Sequence, residues 1–388
     1  MSCPLCGNEN YEKIKRMCSN MKILGKDFPE GDNDVVVCTK CGLVYTHAAA
    51  TQEDYLSYYS SDVCNPPVYY DAFGKKESDD YFEHILGILR PYIKENCKIL
   101  DIAGSWGELG AYIEERTDKT VRVTVADVNK KCVTSARNLE LDAFEVSSFD
   151  LADKISKKFD IVILNHALEH ILDIPKTIEN IKQVLKPNGY IFIEVPDLEE
   201  YVNQEEVPYC YLTYEHVVHM SFRDLRNIAA LYGMKIICME KYYKAISHYP
   251  SIYAIMQIGE QILSPNIVFS DENKKCMLRY IEKCKEQLKK KLAFISGRGD
   301  KLILWGIGAS TALLLEDFID CNVIQLIDRN TLRQGIIYQI GSNKYTIEDP
   351  TSIDDDTAYI FILSVAYKNL IQKQIKEMGL KNPVISFD

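Results

Sequence analysis

Residues 159–197 read FDIVILNHALEHILDIPKTIENIKQVLKPNGYIFIEVPD. FDIVILN is a nearly unbroken apolar run, the pattern of a strand buried on both faces of a parallel sheet. Apolar residues at helical spacing follow, then the turn-forming LKPNG, then a second apolar run, GYIFIEVP. Strand, helix, turn and strand in that order are the repeating unit of a doubly wound α/β sheet.

Two more strand candidates lie upstream, KILDIA at 98–103 and VRVTVAD at 121–127. KILDIAGSWGELGAYIEE reads as a strand, a glycine-containing turn and a helix. Glycines in such a turn let backbone approach a ligand closely, and a helix N-terminus beside it favours an anionic group. The turn carries Asp101, Ala103, Gly104, Ser105 and Gly107. Asp127 ends the second strand, at the separation of about 20 residues from the glycine turn that a ribose-binding carboxylate keeps. An acidic side chain there is placed to accept both hydroxyls of a ribose. It could also cap the following helix, NKKCVTSARN. The G-x-G-x-x-G of nicotinamide-nucleotide folds is absent, since only Gly104 and Gly107 fit it. Asn165 and His166 end the strand FDIVILN at the same sheet edge.

The alternation returns downstream in KLILWGIGAS, CNVIQLID and AYIFILSV. Gly306, Gly308, Ala309 and Ser310 form a second glycine turn, and Asp328 follows Gly308 at the same separation as Asp127 follows Gly107. Between the two halves, residues 246–296 read as mostly helical. The expected organisation is therefore a module at 1–75, an α/β domain at 76–245, a helical connector at 246–296 and a second Rossmann-like α/β domain at 297–388.

The first module contains Cys3, Cys6, Cys38 and Cys41 as CPLCG and CTKCG. Two Cys-x-x-Cys knuckles on glycine turns present four thiolates tetrahedrally, the arrangement of a closed Zn²⁺ site. The long stretch between the knuckles, from Cys6 to Cys38, allows an inserted hairpin. With no coordination position left for substrate, the zinc is expected to be structural. Redox-active pairs belong instead at strand–helix junctions.

The formal net charge of −11 and the lack of a basic stripe argue against a nucleic-acid partner. The Lys285–Lys291 run suits a solvated helix face. The opening MSCPLCGNEN lacks a secretory signal. No apolar run approaches the roughly 18 residues that a membrane span needs. The expectation is a cytoplasmic protein with reduced cysteines and no membrane association. The oligomeric state is not legible.

The segments from KILDIA to EVPD resemble, in order, the cofactor-binding core of class I S-adenosylmethionine-dependent methyltransferases. The usual D-x-G-x-G-x-G turn is altered, with Ala103 and Ser105 at two glycine positions. Over nearly its whole length the chain is similar to the three-domain sugar C-methyltransferases. The resemblance is carried by CPLCG and CTKCG, YYSS, ALEHILD, TYEHVVHMSF, and WGIGAS with LIDRN.

That resemblance implies S-adenosylmethionine as cofactor and a nucleotide-linked keto-sugar as substrate, methylated beside the ketone through an enolate. It implies His216 as the base with Glu215 nearby, His170 in the site wall, and Tyr59 (or Tyr58) closing over the cofactor. It also implies that the C-terminal domain helps to bind the sugar nucleotide. The family's Tyr before Glu-His is Thr213 here, with Tyr214 shifted by one, and Val217, Val218, His219 and Met220 replace its L-S-Y-F. The chemistry is consistent on its own terms, because a His beside a carboxylate titrates where a carbon acid needs its base. Two other readings remain at this stage. One is methylation of oxygen or nitrogen on a sugar or small metabolite; the other is a zinc-containing binding module without catalysis. His219 is as expected in packing as in the site; His47, His84 and His248 carry no functional expectation.

Overall fold

The computed structural model describes the chain except residues 18–23, 25–28, 30–32, 63, 65, 67, 204–206, 244–249, 260–266, 297–298, 309–310, 365–366 and 388. Ala309, Ser310 and His248 therefore lie outside the described residues.

The N-terminal module contains β1 (Tyr11–Met17), β2 (Asn33–Cys38) and β3 (Val44–His47), followed by α1 (Gln52–Ser60), α2 (Tyr69–Phe73) and α3 (Lys75–Leu89). Thr51 and Asp54 form a reciprocal capping box that starts α1.

The central domain continues with β4 (Lys98–Ile102), α4 (Glu108–Arg116), β5 (Arg122–Asp127), α5 (Lys130–Asn138), β6 (Asp142–Glu145), α6 (Leu151–Lys154), β7 (Phe159–Asn165), α7 (Ile174–Val184) and β8 (Leu185–Pro196). It closes with β9 (Val218–His219), α8 (Phe222–Leu231), β10 (Met234–Tyr242) and β11 (Ser251–Ile258). The described strands pair in the order β10-β11-β8-β7-β4-β5-β6. β4 to β8 run parallel, while β10 and β11 are antiparallel additions. Val162, Ile163 and Leu164 of β7 are buried completely, as a central parallel strand requires. α7 is started by Asp173, whose carboxylate accepts from Lys176 N–H, and buries Ile174, Ile178, Ile181 and Val184 on one face.

Two readings of the sequence are corrected here. The stretch 246–296 is not helical throughout, because β11 lies inside it and hydrogen-bonds to both β8 and β10. LKPNG is not a separate turn but the start of β8. It bulges where the β7 register jumps from Leu185 to Tyr190, with Asn188 at φ 60°.

A long helix, α9 (Glu272–Ser296), leads into β12 (Lys301–Trp305), β13 (Asn322–Ile327), β14 (Ile337–Ile340), β15 (Asn343–Glu348), β16 (Tyr359–Ile362), α10 (Lys368–Glu377) and β17 (Val384–Ile385). These strands order as β14-β15-β13-β12-β16-β17, parallel except for β14. The fold is thus α/β, a doubly wound sheet with a second Rossmann-like sheet after it.

One apolar cluster links the parts. It runs from Cys3 and Leu5 through β7, β8 and α9 to Phe361. Asn273 near the start of α9 bonds to Gly42 O at 3.3 Å and to the Asp224 carboxylate at 2.8 Å, tying a cysteine knuckle to α8. β9 adds to the N-terminal sheet, with Val44 opposite His219 and Tyr45 opposite Val218. Among the described helices, none is long and apolar enough to cross a membrane.

Candidate active site

The C-terminal edges of β4, β5 and β7 open into a cavity of about 960 Å³. Its lining draws on α1, the strand ends of the central domain and the first turns of the C-terminal domain.

At one end lie Ala103, Ser105, Asp127, Asn165 and His166. The turn after β4 is left-handed at both replaced glycine positions: Ala103 has φ 54° and Ser105 φ 50°, conformations costly to residues with a Cβ. Ala103→Gly is expected to raise unfolding stability by about 0.5–1 kcal/mol, since relief of the left-handed strain exceeds glycine's entropic cost. Ala103 is exposed, so little packing is lost. Chemical denaturation would show the gain.

Asp101, Gly104 and Gly107 support this turn and are not among the lining residues. A Cβ on Gly104 would lie 2.8 Å from Asp101 Oδ2, and one on Gly107, at φ +86°, would lie 2.8 Å from Ala136 Cβ. Their smallness lets the turn close onto β4 and α5. Asp127 accepts from Ser105 N–H at 3.0 Å and Asn129 N–H at 2.8 Å, which fixes its carboxylate at the cavity edge. Burial pushes its pKa up to about 6. Burial, with Asp127 beside it, pushes Asp101 up to about 7. The helix cap considered for Asp127 is supplied instead by Asn129, which accepts from Lys131 N–H.

The middle of the cavity holds Tyr58, Tyr59, His170 and Glu215. Tyr58 donates its hydroxyl hydrogen bond to Glu215 Oε1. His170 Nδ1 lies 2.8 Å from Glu215 O, and Tyr59 Oη lies 3.0 Å from the same nitrogen. A carbonyl only accepts, so Nδ1 carries the proton and Nε2 of a neutral His170 keeps its lone pair.

His216 is placed differently from expectation. It is not among the lining residues, and its ring packs edge-on against His170 with centroids 4.9 Å apart. Burial first, then the neighbouring His170, lowers its pKa to about 3. So weakly basic a nitrogen suits proton abstraction poorly. A ligand atom from each of Glu169, His170 and His216 lies within 4.8 Å of the others. Thr213 Oγ1 accepts from His216 N–H, and Tyr214 is wholly buried with its carbonyl held by Tyr55. Tyr214 therefore does not supply a tyrosine to the cavity lining. His219 is fully buried near Tyr201.

At the far end are Gly306, Gly308, Thr311, Asp328, Arg329, Asn330 and Arg333. The arginines were not anticipated, although LIDRNTLRQG sets both close behind Asp328. A Cβ on Gly308 would sit 3.2 Å from Arg333 Nη1, so this glycine makes room for the guanidinium.

The four cysteines of the N-terminal module converge away from the cavity lining. Cys3 Sγ lies 3.7 Å from Cys41 Sγ, and Cys6 Sγ 3.6 Å from Cys38 Sγ. Tetrahedral bonds of ~2.3 Å to one ion place sulfurs about 3.8 Å apart. Lys40 N–H and Asn8 Nδ2 both point at Cys38 Sγ, at 3.4 and 3.5 Å.

Residues 73–239 match the methyltransferase domain family. This segment is a class I S-adenosylmethionine-dependent methyltransferase domain. Similar proteins include a ubiquinone/menaquinone biosynthesis C-methyltransferase, UbiE, of Hydrogenovibrio crunogenus, 29% identical over 108 residues and covering 26% of this chain and 42% of that one. The UbiE of Hahella chejuensis is 22% identical over 183 residues, covering 40% of this chain and 72% of that one. The first of these matches spans only about two fifths of its relative's length. Among solved structures, a methyltransferase from Methanosarcina mazei aligns with TM-score 0.37 and 16% identity over 44% of this chain and 96% of that one. Magnesium protoporphyrin IX methyltransferase from Synechocystis, with S-adenosylmethionine bound, gives TM-score 0.39 and 13% identity over 54% and 99%.

Proposed function

We propose that the chain methylates a nucleotide-linked keto-sugar on the carbon beside the ketone, with S-adenosylmethionine as donor. One observation carries the reading: a single cavity joins the cofactor edge of the methyltransferase domain to the glycine turn and arginines of the C-terminal domain. Its roughly 960 Å³ is at the upper end of ordinary ligand sites, which leaves room for two ligands. Asp127 takes the ribose hydroxyls of the cofactor, with Ala103, Ser105, Asn165 and His166 around the rest. Arg329 and Arg333 suit a diphosphate, whose oxygens match guanidinium forks. The carbon-methylating relatives favour carbon as the acceptor atom.

The bound cofactor supplies an electrophilic methyl group on a sulfonium. His170, in place of His216, is the base: its Nε2 takes the proton from the carbon beside the ketone, and the C–H electron pair becomes the enolate. Tyr59, held beside His170, is the hydroxyl that steadies the enolate oxygen. The enolate carbon then forms the new bond to the methyl group while the old bond's electrons stay on sulfur. Glu215, clamped by Tyr58, binds a substrate hydroxyl. The four thiolates hold a structural Zn²⁺.

Incubation with a panel of nucleotide-linked keto-sugars tests this. Mass spectrometry and NMR should find a new carbon-bound methyl group, and without donor the carbon-bound hydrogen beside the ketone should exchange with deuterated solvent. A methyl group on oxygen or nitrogen, with no such exchange, would refute the enolate route.

A further inference from the structure

The cavity wall at the end of β7 contains a charge imbalance. Glu169 is 2% exposed and Glu194 is 0% exposed. His166 stands between them, with Nδ1 3.2 Å from Glu169 Oε1 and Nε2 3.6 Å from Glu194 Oε1. Among the described residues, the ion pairs at these two carboxylates are both with His166. Ser251 adds a neutral hydroxyl donor to Glu194. The second oxygen of each carboxylate, Oε2, is buried with no hydrogen-bond partner among the described residues. Burial alone would lower the His166 pKa, but the two carboxylates raise it to about 10, so the ring is charged.

Two carboxylates against one imidazolium leave one negative charge in a nearly dry wall. An uncompensated buried charge costs several kcal/mol unless a cation comes to it. The backbone holds the group in place: His166 sits at φ 48° and donates its N–H to Glu194 O at 2.9 Å. His166 and its neighbour Asn165 both line the cavity. The cation that balances the wall therefore belongs to a ligand.

We propose that Glu169, His166 and Glu194 form a fixed counter-ion that recognises the positive charge of the cofactor's sulfonium. The inference rests on the reading of this cavity end as the S-adenosylmethionine site. It implies that the cavity distinguishes donor from product by charge. Methyl transfer turns the sulfonium into a neutral thioether, the wall loses its cation, and release of S-adenosylhomocysteine is favoured.

The test is calorimetric binding of S-adenosylmethionine and S-adenosylhomocysteine to the full chain. The donor differs from the product by the methyl group that makes its sulfur a cation. Wild type should prefer the sulfonium. Glu194→Gln should weaken S-adenosylmethionine binding about tenfold, the size expected for one charge on the order of 12 Å away at an effective dielectric constant near 20, and leave S-adenosylhomocysteine unchanged. Glu169→Gln should do the same, which protects the test if the first variant folds poorly. An analogue with a protonated amine in place of the sulfonium should follow S-adenosylmethionine. His166→Gln should shift the preference the other way, toward a larger advantage for the cation. Parallel weakening of both ligands, or an unchanged ratio in the Glu variants, would overturn the proposal. Failure of wild type to bind either ligand would instead overturn the cofactor reading beneath it.

Discussion

Cys38→Ser is expected to abolish the proposed zinc binding and nearly all methyl transfer, although the cysteines stand apart from the cavity lining. Structural zinc is worth ~10–16 kcal/mol in small zinc modules, as much as the whole stability of a typical domain. Here both knuckles sit at one end of the N-terminal sheet: Cys38 ends β2 opposite Tyr11 at the start of β1, and Cys41 precedes β3. β3 pairs with β9, Thr46 N–H bonds to Val217 O at 2.9 Å, and Val217 N–H bonds to Glu169 O at 2.9 Å. Glu215 and His216 immediately precede that ladder, and α1, which follows β3, brings Tyr58 and Tyr59 to Glu215 and His170. Loosening the knuckles should therefore release both sides of the Tyr58–Glu215 and Tyr59–His170 contacts. Metal analysis should find one zinc per wild-type chain and none in the variant. The variant should also melt at lower temperature and lose single-turnover transfer. Normal zinc content and activity in Cys38→Ser would remove the structural role assigned to the cluster.

His170→Ala should lower the single-turnover rate by about 10²–10⁴, the usual contribution of a positioned general base. His216→Ala should have a clearly smaller effect, because His216 only flanks His170 and holds its proton weakly. Deuterium exchange beside the ketone should fall with the rate in His170→Ala, which separates loss of the base from loss of cofactor binding. Equal exchange in wild type and His170→Ala, with exchange abolished in His216→Ala, would return the role to His216.

The difference between the two histidines shows where sequence reading stops. Glu215-His216 and Glu169-His170 are the same dipeptide, and spacing cannot say which ring faces a cavity. The answer comes from the Thr213 turn and from β9, both set by tertiary pairing. β7, Asp127 and the two glycine turns were legible because each rests on local pattern: an apolar run, a strand-end carboxylate, a tight loop. β11 was not. SIYAIMQI is a short apolar run that fits helix or strand equally well, and its place between β8 and β10 decides the matter. The turn departs from the D-x-G-x-G-x-G pattern, but Ala103 and Ser105 adopt left-handed backbone that glycine takes more easily. Arg329 and Arg333 were in plain view after LID, yet two surface-type residues gain meaning only once the C-terminal turn faces the same cavity as Asp127.

One cavity is lined by residues of both halves of the chain. A crystal structure grown with S-adenosylhomocysteine and a nucleoside diphosphate tests that directly. The adenosine ribose hydroxyls should lie on Asp127 and the diphosphate against Arg329 and Arg333, with both ligands in one continuous space. A diphosphate bound elsewhere, or a cofactor edge that stays closed to S-adenosylhomocysteine, would contradict it.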